Sequence, residues 1–352
     1  MSSLLREEIS QLAEYSLSQH PFRIKLNQNE NPFELPLPIK QEILSRLEGQ
    51  QWSRYPAFVP SAQITALAEF VGWEEEGILI GNGSNELLQL IFMAVLERGL
   101  AVVLSQPTFT LYKILARGLA ADVHDVMMKP DFTFDVNAIV RTAREAHARL
   151  IVLCSPNNPT GTFLPRADVR RILDETDALV VLDEAYVHFA PESQQELIRK
   201  YEKLVVLQTF SKAMGAAGLR LGYGLMAPSL ARDLNKLKLP YNVNIFSLTA
   251  LEVLLEQWDA VKGWIDVLKK ERSRLHLRLQ ELKGIRVYPS AANFLLFETL
   301  ERTPAEIFAS LLEKGILIRD VSSYPLLGRA MRVSVGTPEE NDEFLEAVKG
   351  AL

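Results

Sequence analysis

Leu204-Val205-Val206-Leu207-Gln208-Thr209-Phe210-Ser211-Lys212-Ala213-Met214-Gly215-Ala216-Ala217-Gly218-Leu219-Arg220-Leu221-Gly222-Tyr223 passes from an unbroken apolar run into a polar loop punctuated by glycine. A β-branched run without alternation reads as a strand buried on both faces of a sheet, so Lys212 and Arg220 come off the end of a buried strand. A lysine amine there can form a Schiff base with a carbonyl compound. The hydroxyls of Thr209 and Ser211 and the guanidinium of Arg220 can hold a phosphate. The same residues also suit an ordinary solvated loop, and it is the upstream sequence that argues for the chemical reading.

Three more runs of the same kind precede it: Ala101-Val102-Val103-Leu104, Leu150-Ile151-Val152-Leu153 and Leu179-Val180-Val181-Leu182. They alternate with helical patterns, which predicts an α/β fold with a mostly parallel central sheet. Each run ends at a loop rich in chemistry: Pro107-Thr108-Phe109, Ser155-Pro156-Asn157-Asn158-Pro159-Thr160-Gly161 and Asp183-Glu184-Ala185-Tyr186. Ligands of open α/β sheets bind beyond the carboxyl ends of the strands, so all four loops are expected to converge on one ligand.

From Leu251 to Leu282 the spacing predicts one long connecting helix. Beyond it, Ile285 to Tyr288, Phe294 to Phe297, Ile316 to Ile318 and Met331 to Val335 read as strands around a helix from Pro304 to Lys314. The expected organisation is a segment of residues 1–37 packed on the small domain and on a partner subunit, a large domain of residues 38–264, and a smaller α+β domain of residues 265–352.

Composition narrows the function. With 352 residues and 48% hydrophobic content the chain can bury a large core. A net charge of -6 without a block of like charge argues against nucleic acid as a partner. No apolar run approaches the roughly twenty residues of a membrane helix. The single cysteine, Cys154, and a charged N-terminus lacking a signal-peptide core lead us to expect a cytoplasmic protein acting on small molecules. The histidines lack metal-ligand spacing, so no metal is expected.

Taken in order, Leu26-Asn27-Gln28-Asn29-Glu30-Asn31-Pro32, Arg54-Tyr55-Pro56, the Ser155 to Gly161 loop, Ser211-Lys212 and Arg332-Val333-Ser334-Val335-Gly336-Thr337 resemble the fold type I pyridoxal-phosphate aminotransferases over nearly the whole chain. In detail they are most similar to the histidinol-phosphate aminotransferase branch. The resemblance implies pyridoxal 5'-phosphate bound to Lys212, with Asp183 at the pyridine nitrogen and Asn158 and Tyr186 at the ring oxygen. It also implies Phe109 stacked on the ring, and a phosphate held by Ser84, Asn85, Thr209, Ser211, Arg220 and, in a homodimer, Tyr55 of the partner subunit. Arg332 is expected to clamp a substrate carboxylate and Arg319 a substrate phosphate, with Asn29 and Tyr15 closing over them. A helix cap for Asp183 and a turn role for Asn158 are the plain structural uses of those residues. An aromatic aminotransferase and a threonine-phosphate decarboxylase are rival readings within the fold. A non-catalytic cofactor-binding regulator is a rival outside it, one that normally needs a DNA-binding module.

Overall fold

A computed structural model of the chain describes residues 4–14 and 19–352, and its centre is a seven-stranded sheet. Across the sheet the strands run Ile78–Asn82, Leu221–Leu225, Leu204–Thr209, Leu179–Asp183, Leu150–Cys154, Ala101–Gln106 and Asp122–Met127. Only Leu221–Leu225 runs against the rest. The four expected strands are all present and parallel to one another. The other three carry glycine, as in Ile78–Asn82 and Leu221–Leu225, or alternate with polar residues, as in Asp122–Met127 at the sheet edge, and so lack the apolar signature. Helices cover both faces. One buried cluster contains Ile151, Leu153, Leu182, Val206 and Tyr223, and another contains Val102, Leu104, Val152, Val181 and Leu207.

The expected single helix from Leu251 to Leu282 is two helices, Ile245–Glu256 and Trp258–Gln280, parted at Gln257. The physical reason is a change in what each segment buries. Leu248, Ala250, Leu251, Val253 and Leu254 are buried on nearly all sides of the first helix, as suits a helix sunk in a core. The second is amphipathic and touches three clusters in turn. Val261 belongs to the main core, Ile265 and Leu268 to a cluster with Tyr186 and Phe294, and Leu275 and Leu279 to a third core.

That third core lies under a four-stranded antiparallel sheet ordered Arg319–Asp320, Ala330–Ser334, Phe294–Thr299, Ile285–Val287. The period of two decides what each strand presents: Leu295, Phe297, Met331 and Val333 enter the core, which turns Arg332 and Ser334 to the other face. The helix Pro304–Glu313 and the C-terminal helix Pro338–Lys349 close this core, and capping boxes start both, Thr303 with Glu306 and Thr337 with Glu340.

Within the chain the early segment packs on the small domain and on the large one as well. Ile24–Lys25 pairs in parallel with Ile316–Leu317, and Leu26 enters the third core. Leu35, however, joins the main core, and Arg6 donates to the Gly118 carbonyl (2.7 Å). The short helix Glu7–Ser10 thus lies beside the large-sheet helix Thr110–Gly118. Among the described residues no helix is long and apolar enough to cross a membrane.

Leu182 is fully buried at the centre of the parallel sheet. Leu182→Ala is expected to cost about 2–5 kcal/mol, read as a lower midpoint in urea unfolding with little change in slope.

Candidate active site

A cavity of about 420 Å³ opens where the carboxyl ends of the parallel strands meet the small sheet. The reversed strand Leu221–Leu225 begins at this same edge, so Arg220 enters from its amino end. Ser84, Asn85, Phe109, Asn158, Asp183, Tyr186, Thr209, Ser211, Lys212, Arg220, Arg319, Arg332 and Asn29 all line the cavity. Tyr55 does not. It is 80% exposed and stacks on Tyr241 (centroids 4.5 Å apart), away from its own chain's cavity. Tyr15 lies outside the described residues.

The floor is anionic. Asp183 ends its strand 5% exposed, with Oδ1 accepting from the Ala185 N–H (3.0 Å) and Oδ2 from the Tyr112 hydroxyl (2.7 Å). Burial raises its carboxyl above the ordinary value, opposed by the Tyr112 hydrogen bond, the Ala185 N–H and the positive Lys212. Lys212 Nζ donates to the Gln28 carbonyl (2.9 Å). Loss of surrounding water pushes its ammonium down to about 8, and the nearby Arg332 charge acts in the same direction. An amine so placed is available unprotonated near neutral pH, as a nucleophile or proton carrier must be.

One end of the cavity is built for a dianion. The helix Ser84–Val95 starts there after Gly83, which has φ 79° and no side-chain cap, so its first N–H groups and positive dipole end face the cavity. A Cβ on Gly83 would meet Arg220 Nη2 at 2.7 Å, and one on Gly222 would meet Ser84 N at 2.2 Å. The two glycines therefore let the guanidinium and the helix start close on one spot. Ser211 stands beside them. The Thr209 hydroxyl is within reach of the Leu221 carbonyl (3.0 Å) and of Ser211 Oγ (3.0 Å), so it steadies the loop and leaves Ser211 as the freer donor.

The other end carries two arginines. Arg319 and Arg332 are direct partners across the antiparallel pair and share one face of the small sheet. Arg332 donates to the Asn27 carbonyl (2.6 Å) and to Asn158 Oδ1. Asp320 caps the Ser322 N–H (2.8 Å), and Arg319 opens into the cavity. Asn29 adopts φ 55°, a conformation asparagine tolerates, and from it donates to the Tyr186 hydroxyl (3.0 Å). Its own N–H reaches Ser334 Oγ (2.8 Å), which ties the early segment to both parts of the site.

The expected set lacked Tyr112, Cys154 and Tyr324, which also line the cavity, as does Gln28 from within the Leu26 to Pro32 motif. Tyr112 had a readable signal: it follows Phe109 by three positions at a helix start, so the two rings share a face. Cys154 had one as well, standing between the apolar run Leu150 to Leu153 and the loop that follows, and Tyr324 had none, because only the fold carries it there.

The anionic floor, the half-buried amine and the dianion cradle fit a phosphorylated aldehyde with a basic ring nitrogen, as pyridoxal 5'-phosphate is. Comparison with known proteins points the same way. The profile of "Aminotransferase class I and II" matches residues 23–348. Histidinol-phosphate aminotransferase of Chlorobaculum tepidum is 41% identical over 93% of each chain, and that of Prosthecochloris aestuarii 39% identical over 98% of this chain and 97% of the other. The crystal structure of histidinol-phosphate aminotransferase from Sinorhizobium meliloti in complex with pyridoxal-5'-phosphate superposes with a TM-score of 0.89 at 25% identity, covering 99% of this chain and 97% of that one.

In the cofactor-free chain, labelling of Lys212 by an amine reagent should follow the free amine and be half-maximal near pH about 8, far below the ordinary lysine value of 10.5. Arg332→Gln removes a neighbouring positive charge, so the midpoint should rise. Mass-spectrometric labelling rates across pH check both.

Proposed function

The chain belongs to the class I and II aminotransferase family, and from that premise we propose that it interconverts L-histidinol phosphate plus 2-oxoglutarate with imidazole-acetol phosphate plus L-glutamate, using pyridoxal 5'-phosphate. The observation that carries this reading is the meeting, in one cavity, of a half-buried lysine, a buried aspartate, a dianion cradle and two arginines on one sheet face. Relatedness to histidinol-phosphate aminotransferases at near-full length supports the choice of substrate.

In this reading residues 38–264 hold the cofactor, while residues 265–352 with the early segment hold the substrate. The N–H groups of Ser84 and Asn85, the Ser211 hydroxyl, with Thr209 steadying it, and Arg220 bind the cofactor phosphate. Asp183 retains the proton on the ring nitrogen, Asn158 and Tyr186 hydrogen-bond the ring oxygen, and Phe109 covers one ring face. Bound, the cofactor supplies an aldehyde that condenses with amines and a ring that delocalises the electron pair left at the substrate Cα. Lys212 Nζ would hold the cofactor and, when freed by the substrate amine, would move the proton from the substrate Cα to the cofactor carbon on the far side of the amino nitrogen. That task suits an amine whose ammonium is held near 8.

Both substrates place an anion on the arginine side. Glutamate brings carboxylates and histidinol phosphate a phosphate, so the planar Arg332 fork serves either anion and Arg319 adds a second contact to the phosphate. Asn29 closes over the substrate. We further propose a homodimer in which Tyr55 of the partner subunit completes the phosphate cradle. Tyr55 lies outside its own cavity, and Trp52, Phe58 and Leu239 around it are widely exposed.

Two measurements test this. In single-turnover spectra the wild type should react with histidinol phosphate and with glutamate. Arg332→Ala should slow both half-reactions, and Arg319→Ala the phosphate substrate selectively, by about ten- to a hundredfold for a lost charge-assisted hydrogen bond. No reaction of the wild type with histidinol phosphate refutes the substrate assignment. For the dimer, Tyr55→Phe subunits mixed with inactive Lys212→Ala subunits should regain activity, since each heterodimer then has one complete site. Activity never rising above that of the Tyr55→Phe parent refutes the shared site.

A further inference from the structure

Tyr112 has no part in the scheme above, yet it makes a direct side-chain contact to the buried Asp183. It sits in the first turn of the helix Thr110–Gly118, is fully buried, and directs its hydroxyl at Asp183 Oδ2 (2.7 Å). Its ring is fixed edge-on against Phe109 (centroids 5.6 Å apart, planes at 90°). The neighbouring Cys154, opposite Asp183 in strand register, is within hydrogen-bond reach of the Pro156 carbonyl (3.3 Å), so its thiol has an acceptor other than the carboxylate.

A carboxylate taken out of water stays ionised only if donors or cations replace the lost hydration. Among the described residues Asp183 has two hydrogen-bond donors, the Ala185 N–H on Oδ1 and the Tyr112 hydroxyl on Oδ2, and one nearby cation, Lys212. The Ala185 N–H belongs to the turn that follows Asp183 and cannot be removed without rebuilding it. Lys212 is claimed by the cofactor once that is bound. The Tyr112 hydroxyl is therefore the side-chain donor that remains throughout, and with Ala185 it fixes both oxygens in direction.

Resting on the cofactor assignment above, we propose that Tyr112 is a positioning residue that keeps the Asp183 carboxylate ionised and aimed at the protonated ring nitrogen. Asp183 also feels Cys154, Glu184 and Tyr186, each of which becomes or is negative when ionised. None of them donates to its oxygens in place of Tyr112.

The test is the affinity of the full-length, cofactor-free chain for pyridoxal 5'-phosphate, measured by equilibrium dialysis across pH. Tyr112→Phe keeps the ring and loses only the donor. Its affinity should fall on the acid side at a higher pH than in the wild type, by about tenfold for each pH unit that Asp183 is raised. In the Asp183→Asn background the same substitution should change affinity less than about twofold, because an effect routed through the carboxylate disappears with it. An unmoved acid limb, or an equal loss in both backgrounds, overturns the proposal. Carbon-13 NMR of the Asp183 carboxyl in the cofactor-free chain supplies a readout independent of binding, and should show it titrating at higher pH in Tyr112→Phe. An unchanged midpoint also overturns the proposal, whereas a wild type that binds no pyridoxal 5'-phosphate refutes the cofactor assignment instead. If Tyr112→Phe fails to fold, 3-fluorotyrosine at position 112, a stronger donor of nearly the same shape, should shift both curves to lower pH. No shift, or a shift upward, counts against it.

Discussion

The central strands are dry on both faces, and the rest of the molecule is arranged around that constraint. Val180, Leu182, Leu204, Val206 and Ile151 expose nothing to solvent. An ionised group along such a strand costs too much unless it is paired, so polar side chains emerge where the strands stop. Asp183, Thr209 and the loop after Cys154 are the first such places, and parallel pairing brings them to one edge. The reversed strand keeps the rule by presenting its beginning there, with Arg220 immediately ahead of Leu221. Function is concentrated because the sheet leaves it one edge to occupy.

The site is positive at both ends, with a carboxylate between them. Arg220 and a helix N-terminus occupy one end, Arg319 and Arg332 the other, and Lys212 lies between them over Asp183. These positive ends draw anions in, while loss of water, with Arg332 acting in the same direction, holds the lysine ammonium low, so a single arrangement serves binding and proton transfer together. Glu184, next to Asp183, shows how differently two adjacent carboxylates can be treated. It turns away from the cavity and accepts from Ser193 Oγ (2.7 Å), the Gln194 N–H (2.7 Å) and Gln208 Nε2 (2.8 Å), while burial lifts it to about 7. Gln208 in turn accepts from the Tyr223 hydroxyl (2.6 Å). Such a network pins the turn after the strand, and with it the aspartate.

The two sheets are joined by more than chain continuity. The helix Trp258–Gln280 contributes to three cores in succession, and the early segment threads between them. Asn29 touches Tyr186 on one side and Ser334 on the other, and Arg332 reaches Asn158 across the cavity. Displacing any of these disturbs both walls of the site.

How much of this was legible in the sequence depended on whether the signal was local. The four apolar runs, the loops that follow them and Lys212 with Asp183 could be read from residue order, because burial on both faces leaves an uninterrupted apolar signature and chemistry must follow it, whereas the late arginines were expected from the resemblance alone. The glycine-bearing strands Ile78–Asn82 and Leu221–Leu225 could not, since glycine in a strand records the close approach of something else, here the start of the Ser84–Val95 helix. The break at Gln257 was hidden for a related reason: apolar spacing continues through it, and what changes is the core each side enters. Tyr324 joins the site through contacts between distant segments, and Tyr55 leaves its own site through the same geometry. The sequence by itself determined the kind of chemistry and the class of fold, which follow from residue type and local period. The tertiary structure alone decided which groups face one another, because hydrogen bonds and fields act over ångströms in space regardless of separation along the chain.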